Sequence, residues 1–251
     1  MIPLQKWLQA MNAGTRRDVR ALIVEGRVTV NGEVVTRFAE PIAPDDCEIA
    51  VDGQPVTSAG PRVVLVMHKP IKHLTAIDDA PDGTPGLGRY VPQEALDAGV
   101  FPVGRLDYNT QGALLWTNDG PLARRILHPD FSFPKHYAIK IRGHLQDDDP
   151  GLDRMRAGMT VGGTTYLPAL VTLGERRTRA TWIHVTIHEG KHRQLRKMCA
   201  DCGYQIVKLQ RHGLGPIQLG DLNPRCTRPL SDDEIALLLQ SLSLDVEASA
   251  D

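Results

Sequence analysis

One acidic side chain near the middle of the chain is the first candidate for chemistry. Asp107 lies in the run 104–120, which reads GRLDYNTQGALLWTNDG. The apolar stretches 100–103 and 113–117 on either side predict two short strands, and 118–120 has turn chemistry. Asp107 is therefore expected on a tight connection where a rigid scaffold can hold a carboxylate at the wall of a cleft. Arg105 beside Asp107 is equally typical of a structural ion pair at a surface.

Two later runs carry side chains that could act together with a carboxylate. Residues 135–141 (KHYAIKI) predict a strand with Tyr137 and two isoleucines on one face, which alone would suggest a core tyrosine. Residues 192–203 suit a helix that ends at Gly203. This helix lies in the most basic part of the chain, because residues 189–228 hold eight Lys or Arg and three acids.

In this order, the three runs resemble the motifs of the pseudouridine synthases, in particular the ribosomal-RNA branch often called RsuA-type. The strand at 62–68 that leads into His-Lys-Pro, and the Arg-x-Leu-Ser-x-x-Glu pattern at 228–234, are similar to the same family. The resemblance implies that Asp107 is the catalytic carboxylate and that the ring of Tyr137 stacks on the target uracil. It also implies an arginine paired with Asp107, for which Arg196 is preferred and Arg193 is the competing candidate.

The reaction that this resemblance implies sets the remaining expectations for the site. Pseudouridine forms when the N1–C1′ bond of uridine breaks, the uracil turns, and a C5–C1′ bond forms. No redox change occurs and nothing is added, so we expect no cofactor and no metal site. One ionised carboxylate is needed, as a nucleophile or as a base, and the residues do not distinguish these routes. The target base must also be flipped out of its stack. Arg105, Arg193 and Lys197 are the RNA-binding candidates in this part of the chain.

The N-terminal 50 residues predict a separate RNA-binding unit. Apolar residues recur at helical spacing over 4–11, and a second helix is expected after Thr15 as its N-cap. An Asn-Gly turn between two alternating runs over 27–35 predicts a hairpin. The pattern over residues 4–53 resembles the S4 RNA-binding domain. The resemblance implies that the basic residues of the second helix, Arg16, Arg17 and Arg20, contact RNA phosphates.

The fold class expected from these patterns is α+β. A small helix-helix-hairpin domain of the S4 type would precede a mixed, largely antiparallel sheet with a central cleft. The predicted bounds are 1–56 for the S4-like domain, 57–62 for a linker, 63–242 for the catalytic domain, and 243–251 for a frayed acidic tail. Within the catalytic domain, residues 145–159 predict a helix, and Ser231 with Glu234 predicts a capping box that begins the last helix.

Composition supports an RNA partner only weakly. The formal net charge is −1, but residues 231–251 hold six acids and no Lys or Arg, so residues 1–230 carry a charge of +5 (−1 minus −6). We expect a cytoplasmic monomer without a membrane span or a secretory signal, because no apolar run approaches 20 residues and the four cysteines are scattered. The lone Cys199/Cys202 pair and the His184/His188 pair are interpreted as structural.

Two other functions are compatible with parts of this pattern. A non-catalytic RNA-binding or ribosome-assembly factor would explain the S4-like start, although the presence of Asp107, Tyr137 and Arg196 argues against it. A two-carboxylate glycosidase would use Asp107 with Asp119, but it would not explain the S4-like start. Within the preferred hypothesis, Arg193-Gln194 and Met198-Cys199 favour an enzyme that acts on the large ribosomal subunit.

Overall fold

The described part of the chain forms two regions with separate apolar cores. The computed structural model describes residues 1–11, 13–14, 16–43, 46–56 and 61–242. Leu4, Leu8, Val19 and Ile23 belong to the core of the N-terminal region, which is distinct from the two clusters of the larger region. Within the described residues, every helix is too short or too polar to cross a membrane.

The N-terminal region consists of two helices beside a small antiparallel sheet. Its elements are β1 (Ile2–Pro3), α1 (Leu4–Ala10), α2 (Arg16–Val24), β2 (Val28–Val30), β3 (Glu33–Val34), β4 (Pro41–Ile42), β5 (Ile49–Val51) and β6 (Gln54–Pro55). The sheet order is β3-β2-β5-β6, and β1 pairs with β4. Asn31 and Gly32 form the hairpin turn, and both have the positive φ that this turn requires (52° and 82°).

The helix-helix-hairpin prediction for this region is confirmed. Thr15, the expected N-cap of α2, lies outside the described residues. The strand β6 was not predicted, because Gln54–Pro55 begins a run rich in Pro, Gly and Ser that is typical of loops. In the predicted linker, residues 57–60 lie outside the described residues, and so does the predicted tail 243–251. The domain bounds therefore stay a prediction.

The larger region is built on one mixed sheet. Its helices are α3 (Gln93–Asp97), α4 (Gly120–Leu127), α5 (Pro150–Ala157), α6 (Gln194–Asp201) and α7 (Asp232–Ser241). Its strands are β7 (Val64–Lys69), β8 (Phe101–Pro102), β9 (Gln111–Thr117), β10 (Lys135–Arg142), β11 (Met159–Val161), β12 (Thr164–Tyr166), β13 (Leu170–Arg177), β14 (Ala180–Ile187), β15 (Ile206–Leu214), β16 (Ile217–Gln218) and β17 (Thr227–Pro229). The order is β13-β14-β10-β15-β9-β7-β17, with β16 beside β15, β8 beside β9, and β11 paired with β12 in a separate hairpin. The predicted α+β class, with a largely antiparallel sheet, is confirmed.

Two apolar layers cover this sheet unequally. The larger layer packs α3, α5 and α6 against β7, β9, β10, β14 and β15. The smaller layer packs α4 and α7 against the opposite face of β7 and β9. The central strands β7 and β9 are therefore buried on both faces, whereas β10 and β14 are buried on one face. The last helix begins as predicted, with a complete capping box between Ser231 and Glu234.

The two halves of the sheet meet at a short parallel junction. Gln111 and Gly112 of β9 pair with Gln210 and Arg211 of β15. Gly112 has φ 117°, and a Cβ atom there would lie 2.0 Å from the carbonyl oxygen of Arg211. Only glycine fits such a close backbone approach, so this residue fixes where the two halves join.

Two predictions for this region need correction, and three strands were missed. The helix expected over 145–159 spans only Pro150–Ala157, because Asp149 caps its start and Gly158, at φ 83°, ends it. The chain then forms the β11–β12 hairpin and the strand β13, which were not predicted. The helix expected from 192 begins at Gln194, because Arg193 has left-handed backbone geometry (φ 54°).

Candidate active site

A pocket of about 500 Å³ lies where the loop 103–110 meets β10, α6 and β15. Asp107, Tyr137 and Arg196 all line it, although they come from three separate elements. Arg105 and Arg193 line it as well, and both are exposed. The three sequence motifs that suggested chemistry thus converge on one cavity.

The carboxylate of Asp107 faces the guanidinium of Arg196. Arg196 Nε lies 3.6 Å from Asp107 Oδ2, which is an ion pair rather than a hydrogen bond. Arg196 Nη2 donates to the carbonyl oxygen of Asn109 at 2.8 Å and to Thr110 Oγ1 at 3.0 Å, so the loop itself orients the guanidinium. Burial lowers the pKa of Arg196, and the charge of Asp107 opposes that shift. The side chain of Asp107 remains 30 % exposed and can be reached from the pocket.

The loop that carries Asp107 is held by specific local contacts. Gly104 has φ 75°, and a Cβ atom there would lie 2.7 Å from Leu127, so the loop turns tightly against α4. Thr75 Oγ1 donates to the carbonyl oxygen of Leu106 at 2.8 Å and lies 3.1 Å from the amide nitrogen of the same residue. The amide of Thr110 donates to the carbonyl oxygen of Asp107 at 2.9 Å. These contacts fix the backbone on both sides of Asp107.

Tyr137 forms part of an apolar wall. Its side chain lies on the buried face of β10 and is 8 % exposed. Leu195 of α6 and Leu209 of β15 line the same pocket and are also buried. A pocket lined by an aromatic ring and two leucines suits a flat, partly apolar ligand such as a nucleobase.

Lys69 supports the loop from behind and was not among the residues that we predicted for the site. It is fully buried, and its Nζ donates to the carbonyl oxygens of Pro70 (3.0 Å), Asp107 (3.2 Å) and Thr110 (3.1 Å). Burial lowers its pKa to about 8, and the charge of Asp107 opposes that shift. The His-Lys-Pro run at 68–70 marks this lysine in the sequence, but the sequence does not show that it reaches Asp107.

Two further buried cations in the pocket wall were also missed. Lys135 Nζ donates to the carbonyl oxygen of Phe133 at 2.8 Å, and burial together with the nearby charge of Arg211 lowers its pKa to about 8. Arg211 Nε donates to the carbonyl oxygen of Ala113 at 2.8 Å, and its Nη2 is buried without a partner among the described residues. Within the described residues, no carboxylate lies within ion-pair distance of Lys135 or Arg211.

The structure keeps several candidate residues apart from the pocket. Lys197 is exposed on α6 and does not line the cavity. Arg16, Arg17 and Arg20 lie on the exposed side of α2, with Arg20 over the ring of Phe38.

The position of Asp119 removes the glycosidase hypothesis. Its carboxylate accepts from the amide of Leu122, which caps α4, and pairs with Arg62 at 2.8 Å. Asp119 does not line the pocket that holds Asp107, which agrees with the argument made from the sequence against a glycosidase.

The interpretation of the cysteine and histidine pairs as structural stays a prediction, and their contacts are as follows. Cys199 is buried, and burial raises its pKa to about 12, whereas Cys202 is partly exposed and also unpaired. His188 Nδ1 contacts the carbonyl oxygen of Ser132 at 2.8 Å, and the ring of His184 lies against His212. Among the described residues, no three His, Cys, Asp or Glu side chains are placed to hold a metal ion.

Comparison with known proteins identifies both regions. The family model described as RNA pseudouridylate synthase matches residues 63–201, and the S4 domain model matches residues 2–46. An uncharacterized RNA pseudouridine synthase of Aquifex aeolicus is 35% identical over 243 residues, which cover 97% of this chain and 96% of that protein. The ribosomal large subunit pseudouridine synthase B of Bacillus subtilis is 32% identical over 243 residues, covering 94% of each chain.

A solved structure shows the same fold. The crystal structure of a pseudouridylate synthase superposes with a TM-score of 0.65 at 24% identity and covers 95% of this chain and 100% of its own. The family match favours the catalytic interpretation over a non-catalytic RNA-binding factor. The chain therefore belongs to the RNA pseudouridylate synthase family of isomerases and carries an S4 domain on the N-terminal side of its synthase domain.

Proposed function

We propose that this enzyme converts one specific uridine of large-subunit ribosomal RNA to pseudouridine, with Asp107 as its catalytic carboxylate. The observation that carries the proposal is the ion pair between Asp107 and Arg196 in the same pocket as the buried ring of Tyr137. The choice of the large subunit rests on relatives named ribosomal large subunit pseudouridine synthase B in Bacillus subtilis and Pseudomonas aeruginosa.

In the proposed reaction, the flipped uridine enters the pocket with its glycosidic bond beside Asp107. The N1–C1′ bond breaks, the uracil turns, and C5 bonds to C1′, after which C5 loses its proton and N1 gains one. Asp107 acts as a nucleophile on ribose or base, or as the base that starts an elimination; each route needs the ionised carboxylate. Arg196 keeps that charge favourable in a partly buried site.

The pocket walls have distinct proposed roles. Tyr137 stacks on the uracil, and such stacking is worth about 1–3 kcal/mol per base, which offsets the cost of flipping. Leu195 and Leu209 exclude water from the ring. When N1–C1′ breaks, negative charge develops on the uracil, and the unpaired cations Lys135 and Arg211 stabilise it electrostatically.

Exposed positive side chains hold the RNA backbone in this proposal. Arg105 and Arg193 lie at the rim, and Lys197 extends the same basic surface along α6. A second groove of about 780 Å³ lies between α1 and α4 and is lined by four cations, with no carboxylate among the described residues that line it. These cations are Lys6, Arg16, Arg124 and Arg125. Together with Arg17 and Arg20 on α2, this groove is the proposed path of the RNA across the S4 domain.

The remaining expectations follow from this substrate. We keep the predicted domain bounds of 1–56 and 63–242, joined by 57–62 and followed by 243–251. One chain supplies Asp107, Tyr137 and Arg196, so a monomer suffices for the reaction. A ribosomal RNA substrate requires the compartment in which ribosomes assemble, so we place the enzyme in the cytoplasm.

The decisive experiment measures tritium release from RNA that contains C5-tritiated uridine. The Asp107→Asn variant should lose roughly 10³-fold or more in rate, because it removes the only proposed nucleophile or base. Asp148→Asn is the matched control, since Asp148 is exposed and lies outside the pocket. Equal tritium release by both variants would remove Asp107 from the mechanism.

The substrate is tested separately by mapping pseudouridine in cellular RNA. Ribosomal RNA from a deletion strain should lack one large-subunit pseudouridine, and a plasmid copy of the gene should restore it. Complementation with Asp107→Asn should not restore it. An intact large-subunit pattern in the deletion strain would exclude the proposed substrate.

A further inference from the structure

The sheet face opposite Tyr137 is open across β14, β10 and β15. In β10, buried residues at 135, 137, 139 and 141 alternate with less buried residues at 136, 138, 140 and 142. The buried set packs into the larger apolar layer, and within the described residues neither apolar layer includes an outward residue of β10, β14 or β15. On this face Lys140, Trp182 and His212 are half-buried, and His184 and Lys208 are exposed.

A row of one aromatic and two cationic side chains crosses this face. Lys140 lies directly opposite Trp182 in β14 and directly opposite Lys208 in β15. Its Nζ lies 6.0 Å from the centre of the Trp182 ring. Two lysines facing each other across a strand pair are destabilising, since like charges repel at that distance. The fold thus keeps two like charges opposite each other on neighbouring strands.

No acid compensates this charge. The outward positions of β10, β14 and β15 hold no Asp or Glu in the part of the chain that the structure describes. The adjacent edge strand β13 carries Glu175, but this side chain pairs with Arg177 at 2.9 Å. The lysine pair therefore lacks a protein counter-charge.

Planar rings continue the surface beyond the lysines. His136 and His184 each lie 6.0 Å from His212, measured between ring centres. Trp182 is partly exposed and His184 is exposed. Aromatic rings interleaved with cations are the combination that binds single-stranded nucleic acid, because the rings stack on bases while the cations meet phosphates.

We propose that this open face, defined by Lys140, Trp182, His184 and Lys208, is a second RNA-binding surface on the back of the catalytic sheet. It would bind an unpaired segment of the substrate RNA away from the target uridine, with phosphates on the lysines and a base on Trp182. The inference rests on the proposed function only in taking RNA as the partner. An acidic polypeptide would match the lysines but would leave the rings without a role.

The first test removes the two lysines. Lys140→Ala with Lys208→Ala should weaken binding of a large-subunit ribosomal RNA transcript about tenfold at moderate salt. The slope of log affinity against log salt should become shallower by about 1.4, as two single-strand phosphate contacts are lost. Thermal stability should not fall, because the variant removes a repulsive pair. Arg89→Ala with Arg154→Ala is the charge-matched control, since both arginines are half exposed on other surfaces.

The second test separates stacking from charge. Trp182→Leu should weaken binding of the same transcript about tenfold, whereas Trp182→Phe, which keeps a stacking ring, should retain most of the affinity. Equal affinities for the lysine variant and its arginine control would overturn the proposal, as would a Leu variant that binds like the Phe variant. If the unaltered protein binds a polyglutamate peptide, and the substitutions do not change RNA affinity, the proposal is overturned in favour of an acidic partner. Failure of the proposed function would appear in a different assay, as a lack of tritium release by the unaltered enzyme. The binding measurements do not depend on that assay, so the two failures are distinguishable.

Discussion

Positive charge is arranged differently in the two regions of this molecule. In the N-terminal region, Arg16, Arg17 and Arg20 stand exposed on α2. In the catalytic region, Lys69, Lys135 and Arg211 are buried, and backbone carbonyl oxygens accept their hydrogen bonds. The exposed set keeps its hydration until a ligand arrives, whereas the buried set has lost most of its hydration on folding.

This difference predicts that the exposed cations affect RNA affinity and that the buried cations affect the reaction rate. Exposed arginines add little to the stability of the free protein. They increase RNA affinity because RNA releases counterions when it binds them, so this contribution should depend on salt concentration. Burying a cation costs free energy in the protein without substrate, but a buried cation interacts strongly with negative charge that develops in the pocket during the reaction. Charge removed from the pocket should therefore change rates and stability, and charge removed from α2 should change binding.

The largest effect is expected from Arg196→Gln. Loss of the guanidinium leaves the carboxylate of Asp107 partly buried without its partner, so the single-turnover rate should fall by roughly 10²–10³-fold while RNA affinity changes little. Arg193→Gln is the matched variant, and it should lower the rate much less because Arg196 is the arginine in ion-pair distance of Asp107. The opposite ranking of the two variants would assign the pairing role to Arg193.

The next effect concerns the support behind the loop. Lys69→Met preserves the volume but leaves three buried carbonyl oxygens without their donor. The free energy of unfolding should fall by about 2–4 kcal/mol in urea titration, and the isomerisation rate should fall about 100-fold as the loop with Asp107 loosens. Lys72→Met, at an exposed position in the same segment, should change neither quantity. A stable, fully active Lys69 variant would contradict the supporting role.

A smaller effect should appear with pH. Burial lowers the pKa of Lys69 and of Lys135 to about 8, so both lose their charge as the pH rises through that value. The rate on saturating RNA should therefore fall above pH 8, by about tenfold per pH unit for each lysine whose charge the reaction requires. The Lys135→Met variant should be slower at pH 7 and should approach the unaltered enzyme at pH 9.

Stability should move in the opposite direction over the same range. The unfolded chain still holds the lysine protons between pH 7 and 9, whereas the folded chain releases them, so the free energy of unfolding should rise by about 1 kcal/mol per lysine. This rise in stability should end near pH 9, because burial raises the pKa of Cys199 to about 12 in the folded chain. Above pH 9 the thiol ionises in the unfolded chain but not in the folded chain, which favours unfolding. Stability that falls between pH 7 and 9 would show that these lysines are not buried as cations.

The smallest effect is expected in the N-terminal region. Arg16→Ala with Arg17→Ala should weaken RNA affinity about fivefold and make the salt slope shallower by about 1–2, since both arginines are exposed and contact only phosphates. Turnover on saturating RNA should stay within about twofold. An unchanged salt slope would take α2 off the RNA-binding surface.

Residue type and spacing were sufficient to predict the local elements that carry the candidate site residues. The connection that holds Asp107, the alternation that buries Tyr137, and the helix that presents Arg196 each follow from local pattern. The ion pair between Asp107 and Arg196 required a family resemblance, because the two residues lie far apart in the chain and no local rule brings them together.

The sequence did not predict what depends on burial or on long-range packing. Lys69, Lys135 and Arg211 look like ordinary basic residues, since nothing local shows that the sheet encloses them. The strand β13 lacks clear alternation, and its pairing with β14 decides its conformation. The start of α6 moved by two residues because Arg193 adopts a left-handed geometry that composition does not signal.

The short junction between β9 and β15 has a consequence for how the enzyme holds its substrate. Asp107 belongs to one half of the sheet, while Tyr137 and Arg196 belong to the half that ends at β15. Between the described strands of these halves, the backbone pairing is limited to two residue pairs, with Gly112 at their crossing. The spacing between the Asp107 carboxylate and the Arg196 guanidinium therefore depends on this crossing, and any side chain at position 112 would alter it.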